Sequence, residues 1–285
     1  MKLGLVIMAA LLAAQPAPAP APAPGQRPGS CRFNSAALQF RGSPVEQAQC
    51  LLRPVGKYGK LSSAPAVLPP SLAAQIGRPI DIDKMRFRGL LSAQGRDEYL
   101  LGGPLDAPIP RARYFVIHDT SQPWLGDAAS FPPDDAPQLS ELASYLGPEA
   151  VAHVFVNRLG ETAPGHDFAE PWRASKFELK SLDDAAPGLF LHVELVQPRR
   201  RDRAGRGRND ALAPLPGFTP AQYDALALLY VAASLRCGQW LIPAFHAVLD
   251  EGMPGGHDDP QHFVLDDFAA ALDALRQRLA DDPPP

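Results

Sequence analysis

The sequence predicts an α/β or α+β domain in which helices cover a central sheet, preceded by a small N-terminal accessory region. Three observations predict it. Short runs rich in β-branched and aromatic residues, YFVIH (114–118), AHVFVN (152–157) and LFLHVELV (189–196), are each bounded by Gly, Pro or Asp, as buried strands are. Two later segments repeat apolar residues at three- and four-residue steps, which gives each a face to lay on that sheet. The chain has 285 residues, 46% of them hydrophobic and 20% charged, enough for one sizeable core and an appendage.

The chain opens MKLGLVIMAALLAAQ, a single lysine followed by an apolar run of about a dozen residues, the length and flank of a secretory signal. Residues 1–15 are therefore expected to direct export, to the periplasm or outside the cell. An uncleaved anchor is the alternative, although the run is short for a membrane span, and the absence of a cysteine directly after it argues against lipidation. No other stretch reaches the roughly 18 apolar residues needed to cross a bilayer, so no span is expected after signal cleavage. A linker, 16–30, follows; its PAPAPAPAP tract (16–24) favours an extended polyproline spacer, or is low-complexity sequence without a spacing role.

Residues 31–105 carry short apolar pieces broken by Pro and Gly and read as an accessory region packed on, or preceding, the main domain. All seven histidines lie beyond residue 117, so no metal ligand is expected in it. Cys31 and Cys50 are close enough in sequence to form a disulfide stapling this region. Three reduced thiols, with Cys237 a small buried hydrophobe on a helix, are the alternative.

Residues 106–281 form the main domain. After the first strand, QLSELASYLG (138–147) has helical spacing at Leu139, Leu142 and Leu146 and a glycine where a helix would stop. Asn157 and Gly160 fit a turn between two strands. Thr219-Pro220-Ala221-Gln222 combines an N-cap, a proline at the first helical position and a capping-box partner, so a helix should start there with Tyr223, Leu226, Leu229, Tyr230 and Ala233 inward. A last helix runs from about Leu265 to Leu279 on Phe268, Leu272, Leu275 and Leu279. The six-arginine run RRRDRAGRGR (199–208) reads as a solvated loop, or as a grip for substrate carboxylates. A net charge of −4 gives no reason to expect nucleic-acid binding.

Chemistry concentrates in four residues. His118 ends a strand, His246 lies in IPAFHAVLD on a late loop, Asp259 sits in GGHDDPQHF and Glu194 lies on an independent strand. Two imidazoles and a carboxylate suit a catalytic zinc ion with one position open, and no cysteine cluster is present to close the shell. The glycines and proline between His246 and Asp259 give the backbone freedom to return the carboxylate to the same ion. Glu194 is then free to handle a proton.

IHDTS, AHVFVNRLGET, LHVELV, FTPAQYDALALL and the segment from His246 to Phe263 occur in the order and rough spacing of one family. In these blocks, over roughly residues 110–280, the chain resembles the zinc-dependent N-acetylmuramoyl-L-alanine amidases, the AmpD-like group that shares its fold with peptidoglycan recognition proteins. The resemblance implies a central mixed β-sheet covered by helices and one zinc ion per chain. His118, in an Ile-His-x-Thr setting, and His246 match the family's histidine ligands. Asp259 matches the aspartate of a Lys-x-Asp-Pro-Gly segment in which this chain has His257 for lysine and Gln261 for glycine. Asp258 and His257 stay open as alternatives to Asp259.

Glu194 falls on the family's catalytic glutamate, at the end of a Gly-Ile-Glu strand that here reads His-Val-Glu, and Ala152 stands where some members place a catalytic tyrosine. The implied reaction cuts the amide between N-acetylmuramic acid and L-alanine in peptidoglycan or muropeptides, with Glu194 moving the proton and His257 donating to the oxyanion. His153, Trp172 and Arg173 are candidates for the substrate cleft, His153 equally for support behind it. His166, His192 and His262 are read as structural or exposed. A non-catalytic muropeptide-binding module, and an amidase toxin or other zinc amide hydrolase on the same fold, are the alternatives.

Overall fold

A computed structural model of the chain describes residues 31–182, 186–206 and 210–281. The expected signal segment and the linker to residue 30 lie outside the described residues, as do 207 and 208 of the arginine run. The architecture is mixed α/β. Five strands, β1 (Tyr114–Asp119), β2 (Val154–Val156), β3 (Thr162–Pro164), β4 (Phe190–Leu195) and β5 (Ile242–Phe245), form one sheet in the order β3-β2-β4-β1-β5. Four run parallel, and β3 alone turns back antiparallel to β2. That turn needs its glycine, because Gly160 has φ +77° and a Cβ there would stand 2.5 Å from the Ala221 carbonyl oxygen.

The flanking helices include α1 (Pro44–Leu51), α2 (Lys84–Ala93), α3 (Lys176–Ser181), α4 (Pro220–Cys237) and α5 (Leu265–Asp281). Helix α4 starts as its sequence dictates, with Thr219 and Gln222 closing a capping box, and stops at left-handed Gly238.

Strand alternation sends Tyr114, Val116 and His118 to one face of the sheet and Phe115 and Ile117 to the other. Parallel register puts Phe190, His192 and Glu194 beside the first three, so each strand carries an apolar lower half and a polar end on the same face. Low on that face Tyr114 stacks on Phe190 at 4.9 Å and meets Phe40 edge-on at 5.3 Å, with Phe33 and Phe177 completing the cluster. The buried Tyr114 hydroxyl donates to Gln47 and accepts from the Phe40 backbone N–H, each at 2.8 Å. On the opposite face Phe115 packs on Tyr230 of α4, which Phe268 of α5 covers in turn.

Residues 31–105 pack on both sides of the sheet: Phe33 and Phe40 lie under the Tyr114 face, whereas α2 packs against α5 on the other. Phe40, Leu51, Leu72, Phe87 and Leu101 belong to the same apolar core as the strands, so the boundary expected near residue 105 is not a boundary in packing. Cys31 and Cys50 form a disulfide, pinning the start of this region to α1. Replacing both with serine is expected to lower stability by about 3 kcal/mol, the loop-closure value for a crosslink of this span. Chemical denaturation of the variant, alongside wild type with and without reductant, checks it.

Two expectations change here. The helix expected over 138–147 is a short one at Pro137–Ser140 followed by a 3-10 turn at Ala143–Tyr145. Its end carbonyls are taken from outside: the Asn157 amide donates to Ser140 and the Arg158 N–H to Leu139. Only Leu139 of the three leucines is fully buried. Second, His246 does not come from a loop. It follows β5 directly, and Pro243 is tolerated there because β5 is the sheet edge.

Candidate metal centre

The site forms where the parallel strands end, the usual place for ligands on such sheets. His118 on β1 is paired with Glu194 on β4, and Phe155 on β2 with Glu194. β5 pairs with β1 up to Phe245 and Ile117, so His246, one step on, falls beside His118. Two imidazoles and a carboxyl are thus set in one row by register alone.

The donors converge. His118 Nδ1 and His246 Nδ1 face each other at 2.8 Å, and the Asp259 carboxylate oxygens lie 3.1 and 3.2 Å from His246 Nδ1. Asp259 is 3.9 Å from His118 Nδ1, all three residues are buried, and the donor atoms lie within 4.8 Å of one another. Zinc bonds of about 2.0–2.2 Å place tetrahedral donors roughly 3.3–3.6 Å apart, so the set fits such an ion with small adjustments. Two imidazole lone pairs cannot face each other at this distance without a proton or cation between them. The proton is accounted for: burial opposes charge on His246, but Asp259 and Asp250 outweigh it and push its pKa up to about 10. Burial first, then the charge on His246, hold His118 well below the ordinary imidazole value.

Asp259 rather than Asp258 belongs to this set, because Asp258 is exposed and accepts from the Gln261 side chain at 3.2 Å. The Asp119 backbone N–H holds Asp259 at 3.1 Å. The Asp119 carboxylate accepts two bonds from Arg199 at 2.7 and 2.8 Å and one from the Gln261 N–H at 3.0 Å, tying the Asp259 loop to the end of β1. Arg199 is therefore not part of a solvated run: it is 3% exposed and fully engaged, whereas Arg200 and Arg201 form a short ribbon with Ala211 and Leu212.

Glu194 lies 3.7 Å from His118 Nδ1, and its Oε2 is buried without a hydrogen-bond partner. Burial, then the nearby Asp259, raise its pKa well above the carboxylate range. It opens on a cleft of about 400 Å³ that Trp172, Arg173, Lys176, Val151 and His257 also line. His257 stacks on His246 with ring centroids 4.1 Å apart, and its Nδ1 lies 2.8 Å from Asp250. Asp250 also lies 3.1 Å from His246 Nε2, so one carboxylate braces both rings. Trp172 is stacked on His166 at 3.9 Å.

His153 does not line the cleft. At 1% exposure its Nδ1 accepts the His192 N–H at 3.0 Å and its Nε2 lies 3.1 Å from the Glu170 carbonyl, behind the site. Conversely, His192 is not a bystander, because its Nδ1 lies 2.9 Å from His118 Nε2. The signal was present in its two-residue offset from Glu194, which puts both on one face of β4. Tyr145, whose hydroxyl lies near Thr120 and within the field of Glu194, had no such signal, since it sits on the irregular 3-10 turn.

Burial, then the neighbouring His192, depress the His153 pKa from 6.5 to about 3. Between those values the unfolded chain binds more protons than the folded one, so stability is present above pH 6.5 and lost as pH falls. His153→Phe is expected to flatten this acid slope by about 1.4 kcal/mol per pH unit, one proton's worth. Urea midpoints of both proteins between pH 4 and pH 6.5, roughly the window set by that shift, check it.

Fold and site together define a mixed α/β protein with a buried two-histidine, one-aspartate centre at the ends of its parallel strands. No protein-family model, curated protein or solved structure matches the chain.

Proposed function

We propose that the chain is a zinc-dependent hydrolase of the N-acetylmuramoyl-L-alanine amidase type, on an amidase and recognition-protein-like fold, acting on peptidoglycan or muropeptides. The observation that carries the proposal is the convergence of His118 Nδ1, His246 Nδ1 and Asp259 beside Glu194, whose Oε2 is buried and unpartnered at a cleft. His118, His246 and Asp259 would hold the ion, one per chain. When bound, zinc supplies Lewis acidity toward a water and toward the amide carbonyl.

The chain's own residues do the rest. Glu194 would be ionised once a cation beside it offsets the burial that raises its pKa, and in that form it takes the proton of the attacking water and delivers it to the leaving amine. His257, on the cleft wall and braced by Asp250, donates toward the developing oxyanion. Trp172 and Arg173 offer an aromatic face and a cation to a glycan–peptide substrate along the same wall. Among the described residues no helix is long and apolar enough to cross a membrane. The Cys31–Cys50 disulfide is compatible with an oxidising compartment and so with action after export.

Purified protein incubated with intact sacculi and with soluble muropeptides, with and without a chelator, tests this. Free stem peptides identified by mass, lost on chelation, are the expected result. Retention of muropeptides without cleavage would mean a recognition module, and chelator-sensitive cleavage of amides lacking muramic acid a different zinc amide hydrolase.

A further inference from the structure

We propose that His192 and Glu178 form a buried relay that fixes the tautomer and aim of His118, and so set how tightly the centre holds its ion; the inference rests on the metal-centre reading above. The three side chains touch one after another. Glu178 Oε2 lies 3.1 Å from His192 Nε2, and His192 Nδ1 lies 2.9 Å from His118 Nε2. Glu178 is 3% exposed, and His192 and His118 are closed to solvent.

The Glu178 oxygen, 3.1 Å from His192 Nε2, favours the His192 proton on that nitrogen through proximity, although its approach is too oblique to the ring for a hydrogen bond. His192 Nδ1 is then a lone pair whose one role toward His118 is to accept from Nε2–H. That leaves His118 Nδ1 as the lone pair facing His246 and Asp259, the form a metal ligand needs. The opposite polarity would point an N–H of His118 into the centre and block it.

Both relay members are held from behind. Glu178 is the capping-box residue of α3, and the Ser175 hydroxyl and backbone N–H donate to the same oxygen at 2.7 and 3.2 Å. The His192 ring lies parallel to that of His153, centroids 5.7 Å apart, which stops it swinging away. Neither His192 nor Glu178 lines the cleft, so both are positioning residues. On the His246 side a carboxylate stands alone in the corresponding place, Asp250 lying 3.1 Å from His246 Nε2.

The test is zinc affinity of the full-length protein by competition with a chromophoric chelator, with ¹⁵N shifts of the His118 ring as a second readout. His192→Phe is expected to weaken zinc binding about 10- to 100-fold and to turn His118 from a single Nε2–H tautomer into a mixture. Glu178→Gln, which keeps a capping acceptor and loses the charge, should weaken it about tenfold. His192→Asn, whose side-chain carbonyl stands near the former Nδ1, should recover most of the loss. Ser175→Ala, which removes one of the two bonds holding the Glu178 oxygen and leaves its charge, should weaken affinity less than Glu178→Gln does. Wild-type affinity and an unchanged tautomer in His192→Phe, with zinc lost in His118→Ala, would overturn the relay while the metal centre stands. Equal zinc binding by wild type and His118→Ala would remove both.

Discussion

Glutamine in place of Glu194 is expected to lower amide hydrolysis by about two to four orders of magnitude, the usual worth of a positioned acid–base group, with zinc content unchanged. The side chain is not among the three converging donors, and glutamine has nearly the shape of the protonated carboxyl that burial favours at this position. Size, packing and the ion therefore stay as they are, and only the capacity to take and return a proton is lost. Steady-state rates on a defined muropeptide, with metal analysis of the same samples, check it. A variant that keeps wild-type rate would remove Glu194 from the chemistry. A variant that loses zinc along with activity would make it a ligand.

Arg199→Met should produce the largest loss of stability, about 3–5 kcal/mol, the cost of leaving a buried charge without its partner. Asp119 is 4% exposed, and its carboxylate accepts two guanidinium bonds, the Gln261 N–H and the Ser121 N–H and hydroxyl, Arg199 being the one cation among them. Methionine matches the length of the arginine stem and restores neither guanidinium bond. The same variant should weaken zinc binding, because Asp119 ties the Asp259 loop to β1. Adding Asp119→Asn should return part of the stability, since the uncompensated charge is then gone. Denaturant midpoints for the two single variants and the double variant measure this as one cycle.

The residues also explain why parts of the fold and site were legible in the sequence and others were not. β1, β2 and β4 announced themselves as β-branched and aromatic runs with clear stops, and α4 through its cap. β5 did not: four residues interrupted by Pro243 carry no periodicity, and an edge position excuses the proline only once the sheet is known. The four chemical residues could be named because strand ends and a Gly-rich return suit a metal site. Their alignment in one row depends on register, which no local pattern contains. His153 and His192 exchanged roles for the same reason, since facing outward or backward is decided by neighbouring strands and by α3. Arg199 looked like one of six similar arginines until its partner, 80 residues earlier in the chain, came into view.

The aromatic cluster of Phe33, Phe40, Tyr114, Phe177 and Phe190 has a practical consequence for anyone cutting this gene. A fragment starting near residue 106 would bare the underside of the sheet directly below the histidines, and would be sticky and prone to precipitate. What resembles a dispensable leader domain is the floor on which the reactive groups stand, so expression should begin no later than Cys31.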